Sequence, residues 1–134
     1  MVARSGLLAL PAKETLYWMA RTDASGARLD GNCRYRLSGK PLDARWWSVT
    51  VYDAKGYLVP NAANIWSVNG ANVPLDDKGE WHVTIAPDRP ADGAWLPGIK
   101  GQPFDLTLRM YNPGAGVRAA PSAAALPAIV KEGC

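Results

Sequence analysis

The sequence predicts an all-β fold, a sandwich of antiparallel strands, on three observations. Apolar and polar residues alternate along several segments, most clearly at residues 46–52 and 104–111. Turn-forming groups such as Asp53-Ala54-Lys55-Gly56 recur about every 8–15 residues, which is typical of sandwiches and barrels. The chain has 134 residues, which suits one domain built around one hydrophobic core.

The first half of the chain is expected to supply four strands. An apolar run at residues 16–20 is followed by a turn at residues 23–27. Cys33, Tyr35 and Leu37 alternate with polar residues and are predicted to share one buried face. The clearest strand covers residues 46–52, and a short one at residues 57–59 stops before Pro60.

The second half is expected to supply three more strands and an extended tail. Residues 64–68 predict a short strand, residues 81–85 alternate, and residues 104–111 alternate again. Trp95-Leu96-Pro97-Gly98 is predicted to form a loop that closes one end of the sandwich. The tail carries prolines and alanines, and we expect it to be extended with at most one helical turn near residues 122–126.

The N-terminal segment, residues 1–13, is treated separately from the β domain at residues 14–134. We expect a short helix within residues 1–10 that continues from a segment upstream. Its apolar patch is too short for a convincing signal peptide. No run in the sequence reaches the roughly 18 apolar residues that span a bilayer.

Charge argues against nucleic acid as a partner. The net charge is +3, but lysines and arginines are scattered singly rather than clustered. Apolar residues make up 48% of the chain and charged residues 20%, which is ordinary for a globular domain.

The two cysteines, Cys33 and Cys134, allow two readings. They are either unrelated thiols or one disulfide in an oxidising compartment. The position of Cys134 as the last residue favours the bridge, because chain ends fray unless something ties them down.

The less apolar faces of the two clearest strands form the best candidate surface for a ligand. Alternation places Trp46, Ser48, Thr50 and Tyr52 on one such face and Asp105, Thr107, Arg109 and Tyr111 on the other. In one sheet these faces would combine into a surface for a polar ligand such as a sugar, with Arg109 or Asp105 fixing its orientation. Otherwise, Arg109 is expected to brace Asp105 or a backbone carbonyl. The predicted ligand-binding residues are Trp46, Tyr52, Arg109, Tyr111 and, beside several asparagines, Trp66.

The sequence offers little for catalysis, so we predict no catalytic residue, metal site or cofactor. His82 is the sole histidine, and no nucleophile elbow or nucleotide-binding loop is present. The alternative is a hydrolase of cell-surface glycans that uses loop carboxylates. The candidates are Asp76, Asp77, Glu80, Asp88 and Asp92, although aspartates in turn segments also serve the turns themselves.

Four ordered motifs make the chain similar to a known family. They are Trp46-Trp47-Ser48-Val49-Thr50-Val51-Tyr52-Asp53, Leu58-Val59-Pro60-Asn61, Trp95-Leu96-Pro97 and Phe104-Asp105-Leu106-Thr107-Leu108-Arg109-Met110-Tyr111-Asn112-Pro113. In this order and spacing they resemble the DUF1214 family over roughly residues 14–132.

The resemblance is to short bacterial members of that family, and it implies several expectations. These members have an N-terminal membrane anchor, one domain and paired cysteines, whereas longer members carry a DUF1254 domain in front. The resemblance implies a jelly-roll-like β-sandwich in the periplasm or another extracytoplasmic setting. It implies no activity. We therefore expect a binding or structural module whose partner is a polar ligand or another envelope component.

Overall fold

The computed structural model describes residues 7–11, 15–40, 44–113 and 126–134, which form nine strands. No helix occurs in these ranges, and so none that could cross a membrane. The strands are β1 (Leu7–Pro11), β2 (Thr15–Ala20), β3 (Arg34–Gly39), β4 (Ala44–Asp53), β5 (Ser67–Asn69), β6 (Trp81–Ala86), β7 (Ala94–Pro97), β8 (Phe104–Pro113) and β9 (Ala128–Gly133).

The strands form two sheets, and the all-β prediction is confirmed. The first sheet has the order β1-β2-β8-β4-β5 and the second the order β7-β6-β3-β9. All neighbours are antiparallel except β6 and β7, which run parallel, so the expectation of purely antiparallel strands is wrong for that pair. This strand order does not by itself confirm jelly-roll connections.

The core lies between the sheets and follows the predicted alternation. Cys33, Tyr35 and Leu37 are buried on β3, and the inward residues of β4 and β8 are buried opposite them. The rings of Trp47 and Trp81 stack across the core with their centroids 4.5 Å apart. Burying one large apolar side chain contributes about 1.5–3 kcal/mol, so these aromatic contacts are a main source of sheet-to-sheet cohesion.

Four segments differ from the sequence-based expectation. The strand expected at residues 64–68 begins only at Ser67, as β5. Residues 7–10, expected to be helical, belong to β1, which pairs with β2 at the sheet edge; residues 1–6 lie outside the described residues. Trp95 lies in strand β7 rather than in a loop, and its indole nitrogen donates to the carbonyl oxygen of Ala86 at 2.9 Å. Residues 57–59 form no strand.

The C-terminal tail is extended, as expected, but it is also a paired strand. β9 runs antiparallel to β3 and buries Ile129 against the core. The helical turn expected near residues 122–126 lies almost wholly outside the described residues.

Cys33 and Cys134 form a disulfide, which confirms the bridge reading. The bond joins the residue before β3 to the residue after β9, across 101 positions of the chain. Such a bond is typical of an oxidising, extracytoplasmic environment.

Candidate ligand-binding site

Three neighbouring strands of the first sheet present one outward face. β8 lies between β2 and β4, and its Arg109 is opposite Tyr17 on one side and Ser48 on the other. The same register pairs Tyr52 with Asp105 and Trp46 with Tyr111. The predicted sharing of one face by these two strands is therefore confirmed.

Arg109 lies half-buried at the centre of this face. Its Nη2 donates a hydrogen bond to the Tyr52 hydroxyl at 2.9 Å. Its guanidinium carbon is 5.4 Å from the ring centroid of Tyr17 and 5.6 Å from that of Tyr52, within cation–π range. Among the residues that the structure describes, no carboxylate lies within ion-pair distance of Arg109. The guanidinium is therefore oriented by two tyrosines, and within the described ranges no carboxylate neutralises its charge.

Asp105 does not brace Arg109, because other arginines hold it. Its carboxylate is buried, 2.8 Å from Nη2 of Arg28 and 3.5 Å from Nε of Arg21. Arg28 also donates to the backbone oxygens of Arg21 and Phe104, at 2.9 and 2.7 Å. Two arginines, Arg21 and Arg28, thus neutralise this aspartate, and Arg109 is not among its partners.

A cavity of about 430 Å³ opens over this part of the sheet, within the size range of small-molecule sites. We call its outward side chains, Tyr17, Met19, Tyr52, Thr107 and Arg109, the Arg109 face. Gly56 contributes to the rim from the turn after β4. The Asp53 carboxylate accepts hydrogen bonds from the backbone nitrogens of Lys55 and Tyr57, which fixes that turn.

The other predicted ligand-binding residues lie apart from the cavity. Trp46 and Tyr111 pair on the same side of the sheet, 42% and 36% exposed, but they do not line the cavity. Trp66 lies elsewhere: it lines a cavity at one end of the sandwich, and its indole nitrogen donates to the Val59 carbonyl at 2.8 Å. The structure therefore groups Tyr52 with Arg109 and leaves Trp66 out.

Sequence reasoning missed Tyr17 and Met19. Leu16 and Trp18 are buried, so alternation along β2 already places Tyr17 and Met19 on the outer face. The missing information was that β2 pairs with β8, a long-range contact that local patterns do not carry.

A second polar cluster surrounds His82 on the other sheet. Its Nε2 is 2.7 Å from Oδ2 of Asp76, and donor atoms of Asp76, Glu80 and His82 lie within 4.8 Å of one another. Oδ1 of Asp76 accepts from the backbone nitrogens of Lys78 and Glu80. The Glu80 backbone hydrogen bond and, after it, the His82 contact lower the pKa of Asp76 to about 2. These contacts shape the turn before β6, which explains the cluster without a ligand.

The fold and the Arg109 face together define a two-sheet β-sandwich with a cationic, aromatic-flanked cavity on one sheet. The chain belongs to the DUF1214 family, described as proteins of unknown function, whose model matches residues 14–115. The resemblance suggested by the sequence motifs is thereby confirmed.

Two solved structures share the fold. The VPA0106 protein from Vibrio parahaemolyticus aligns with a TM-score of 0.76 at 22% identity, over 88% of this chain and 30% of that one. An uncharacterised protein from Burkholderia cenocepacia aligns with a TM-score of 0.59 at 15% identity, over 92% of this chain and 30% of that one. The chain thus spans under a third of the length of either protein. A search of curated proteins found no match.

Proposed function

We propose that this domain is a non-catalytic binding module of the bacterial cell envelope, working in the periplasm and tethered to the inner membrane through an upstream anchor. Its ligand is an anionic polar molecule held on the Arg109 face, and an acidic saccharide of the envelope fits the chemistry best. The disulfide supports the compartment, because such bonds persist in the periplasm.

One observation carries the proposal: the guanidinium of Arg109 lies between two tyrosine rings over an open cavity, with no carboxylate partner in the described ranges. Guanidinium groups bind carboxylates through two parallel hydrogen bonds, and the tyrosines hold the fork in place. The tyrosine rings and Met19 offer apolar surface to the body of a sugar, and the Thr107 hydroxyl offers a polar contact.

The test is calorimetric titration with a galacturonate trimer and with the neutral galactose trimer. The acidic trimer should bind and the neutral one should not, with binding weakened by salt. Arg109→Met should weaken binding by about 10- to 150-fold, the equivalent of losing about 1.5–3 kcal/mol from hydrogen bonds to a charged group.

Arg36→Met is the matched control, because Arg36 faces outward from the other sheet and contacts His82. It should bind the acidic trimer like the wild type. Unchanged affinity in Arg109→Met would refute the Arg109 face as the site.

The alternative, a glycan hydrolase acting through loop carboxylates, has no comparable support. The Arg109-face cavity is lined by one carboxylate, that of Asp105, and no carboxylate lines the end cavity among the described residues. Release of new reducing ends from either trimer would favour the hydrolase instead, provided that the double variant Asp76→Asn with Glu80→Gln no longer releases them.

A further inference from the structure

A second cavity, of about 300 Å³, lies at one end of the sandwich, away from the Arg109 face. It opens between the loop after β4 and the loop after β7, and we call it the end cavity. Its apolar wall includes Val51, Val59, Ile65, Trp66, Pro97 and Ile99. None of these residues lines the Arg109 face. The volume is at the lower end of the range for small-molecule sites, and the mostly apolar wall is typical of them.

The loop on one side of the end cavity is fixed by its own hydrogen bonds. The Asn61 side chain donates to the carbonyl oxygen of Ile65 at 2.8 Å and accepts from its backbone nitrogen at 3.2 Å. The indole nitrogen of Trp66 donates to Val59. These bonds hold the loop against collapse into the cavity.

The loop on the other side is anchored to the body of the domain. The Gly101 backbone nitrogen donates to the Asn32 side chain at 2.9 Å, and that of Gly98 donates to the Ala86 carbonyl at 2.9 Å. Gly31 packs directly on this loop, since a Cβ atom there would lie 1.7 Å from the Ile99 carbonyl oxygen. Hydrogen bonds and packing thus hold both of the loops that border the cavity.

The polar side of the end cavity carries a positive charge. Lys100 is exposed and contributes to the lining, together with Gln102. Across the described part of the chain, no carboxylate lies within ion-pair distance of Lys100. An ammonium group beside an apolar recess complements a ligand with an apolar body and one negative end.

We propose that the end cavity binds a small amphiphilic carboxylate, with its apolar body against Trp66 and Ile99 and its carboxylate at Lys100. Burial of the apolar body supplies affinity, because the wall is mostly apolar, and Lys100 supplies selectivity for the acid. This site is separate from the Arg109 face and does not depend on the function proposed there.

The experiment compares phenylbutyrate with phenylbutanol, which share the apolar body and differ in the charge. Calorimetry should show the acid binding about tenfold more tightly than the alcohol in the wild type. Lys100→Met should reduce the affinity for the acid to that for the alcohol and leave the alcohol unchanged. Lys78→Met, which removes a lysine from the distant turn before β6, should change neither affinity.

Two further readouts place the ligand. The indole N–H signal of Trp66, identified by its absence in Trp66→Phe, should shift in an NMR titration with phenylbutyrate. Val59→Phe and Ile65→Trp fill the cavity and should abolish binding of both probes, with folding of each variant checked by its melting temperature.

Three results would overturn the proposal. The first is equal affinity of the wild type for the acid and the alcohol. The second is undiminished binding of the acid to both folded cavity-filled variants. The third is that the NMR signals shifted by the acid belong to Tyr17 and Tyr52. The last result would assign the acid to the Arg109 face.

Discussion

Two charged side chains on β8 have different roles, although alternation places them on the same face. Asp105 is buried and neutralised by Arg28 and Arg21, which is a structural arrangement. Arg109 is half-buried and oriented by tyrosines, with no carboxylate partner among the described residues. Burial and pairing therefore mark Asp105 as a stabilising charge, whereas the binding role of Arg109 is the proposal made above.

We expect Asp105→Asn to lower the free energy of unfolding by about 2 kcal/mol, because it leaves the arginine donors without a charged acceptor beside a buried group. Both arginines are more than a third exposed, and water around them limits the loss. Urea denaturation measures it. Arg34→Met, which breaks an exposed pair with Glu132, should cost under about 1 kcal/mol. Equal losses in the two variants would contradict the structural role of Asp105.

Arg109→Met should lower the free energy of unfolding by no more than about 1 kcal/mol, because the protein loses one hydrogen bond and two ring contacts. Its effect on ligand binding should be larger. Thermal unfolding of the ligand-free protein checks the change in stability. A large fall in melting temperature would instead show that Arg109 is a structural residue, the alternative that the sequence also allowed.

At the level of elements, β9 converts the chain end into part of the second sheet. Ile129 is 5% exposed and points into the core, whereas Val130 is 48% exposed. Ile129→Ala should cost about 2–4 kcal/mol through lost burial and the cavity left behind. Val130→Ala should stay within about 0.5 kcal/mol, which makes it the control. Chemical denaturation measures both variants, and similar losses in their free energies of unfolding would refute the strand assignment.

The turn before β6 should make stability depend on acid pH. The pKa of Asp76 is lowered from 3.8 to about 2, so its ionised form stabilises the fold above about pH 4. That contribution should disappear as the pH falls through about 2. The Asp76→Asn variant lacks this contribution, so the difference in unfolding free energy between it and the wild type should shrink as the pH falls from about 4 to about 2.

The pH experiment has a neighbouring control. Asp77→Asn should follow the wild type across the same range, because no hydrogen bond of the Asp77 side chain is found within the described residues. A gap between the wild type and Asp76→Asn that stays constant down to pH 2 would contradict the role of the turn.

For the whole molecule, the disulfide closes a loop that contains most of the core, although Leu16, Trp18, Ala20 and Leu29 precede it. Replacing Cys33 and Cys134 together by alanine should destabilise the domain by about 4–5 kcal/mol, since a loop of about 100 residues is no longer closed in the unfolded state. Denaturation of the variant and of reduced wild-type protein measures this. Intact mass of the unreduced protein, after alkylation under denaturing conditions, provides the direct check: two alkylated thiols would contradict the bond.

The sequence by itself determined the all-β class, the buried faces of β3, β4, β6 and β8, and the family. These features depend on the two-residue period of strands and on local motifs, which neighbouring residues encode. It also favoured the bridge between Cys33 and Cys134, from the position of a cysteine at the chain end.

Only the tertiary structure decided which strands are neighbours, and with them the site. The pairing of β2 with β8 places Tyr17 beside Arg109. Asp105 forms ion pairs with Arg21 and Arg28 instead of with Arg109. Residues 7–11 and 128–133 became strands because sheet edges offered them backbone partners, a choice that their local sequence does not fix. Trp66 lines the end cavity because loop packing, and not strand alternation, positions it.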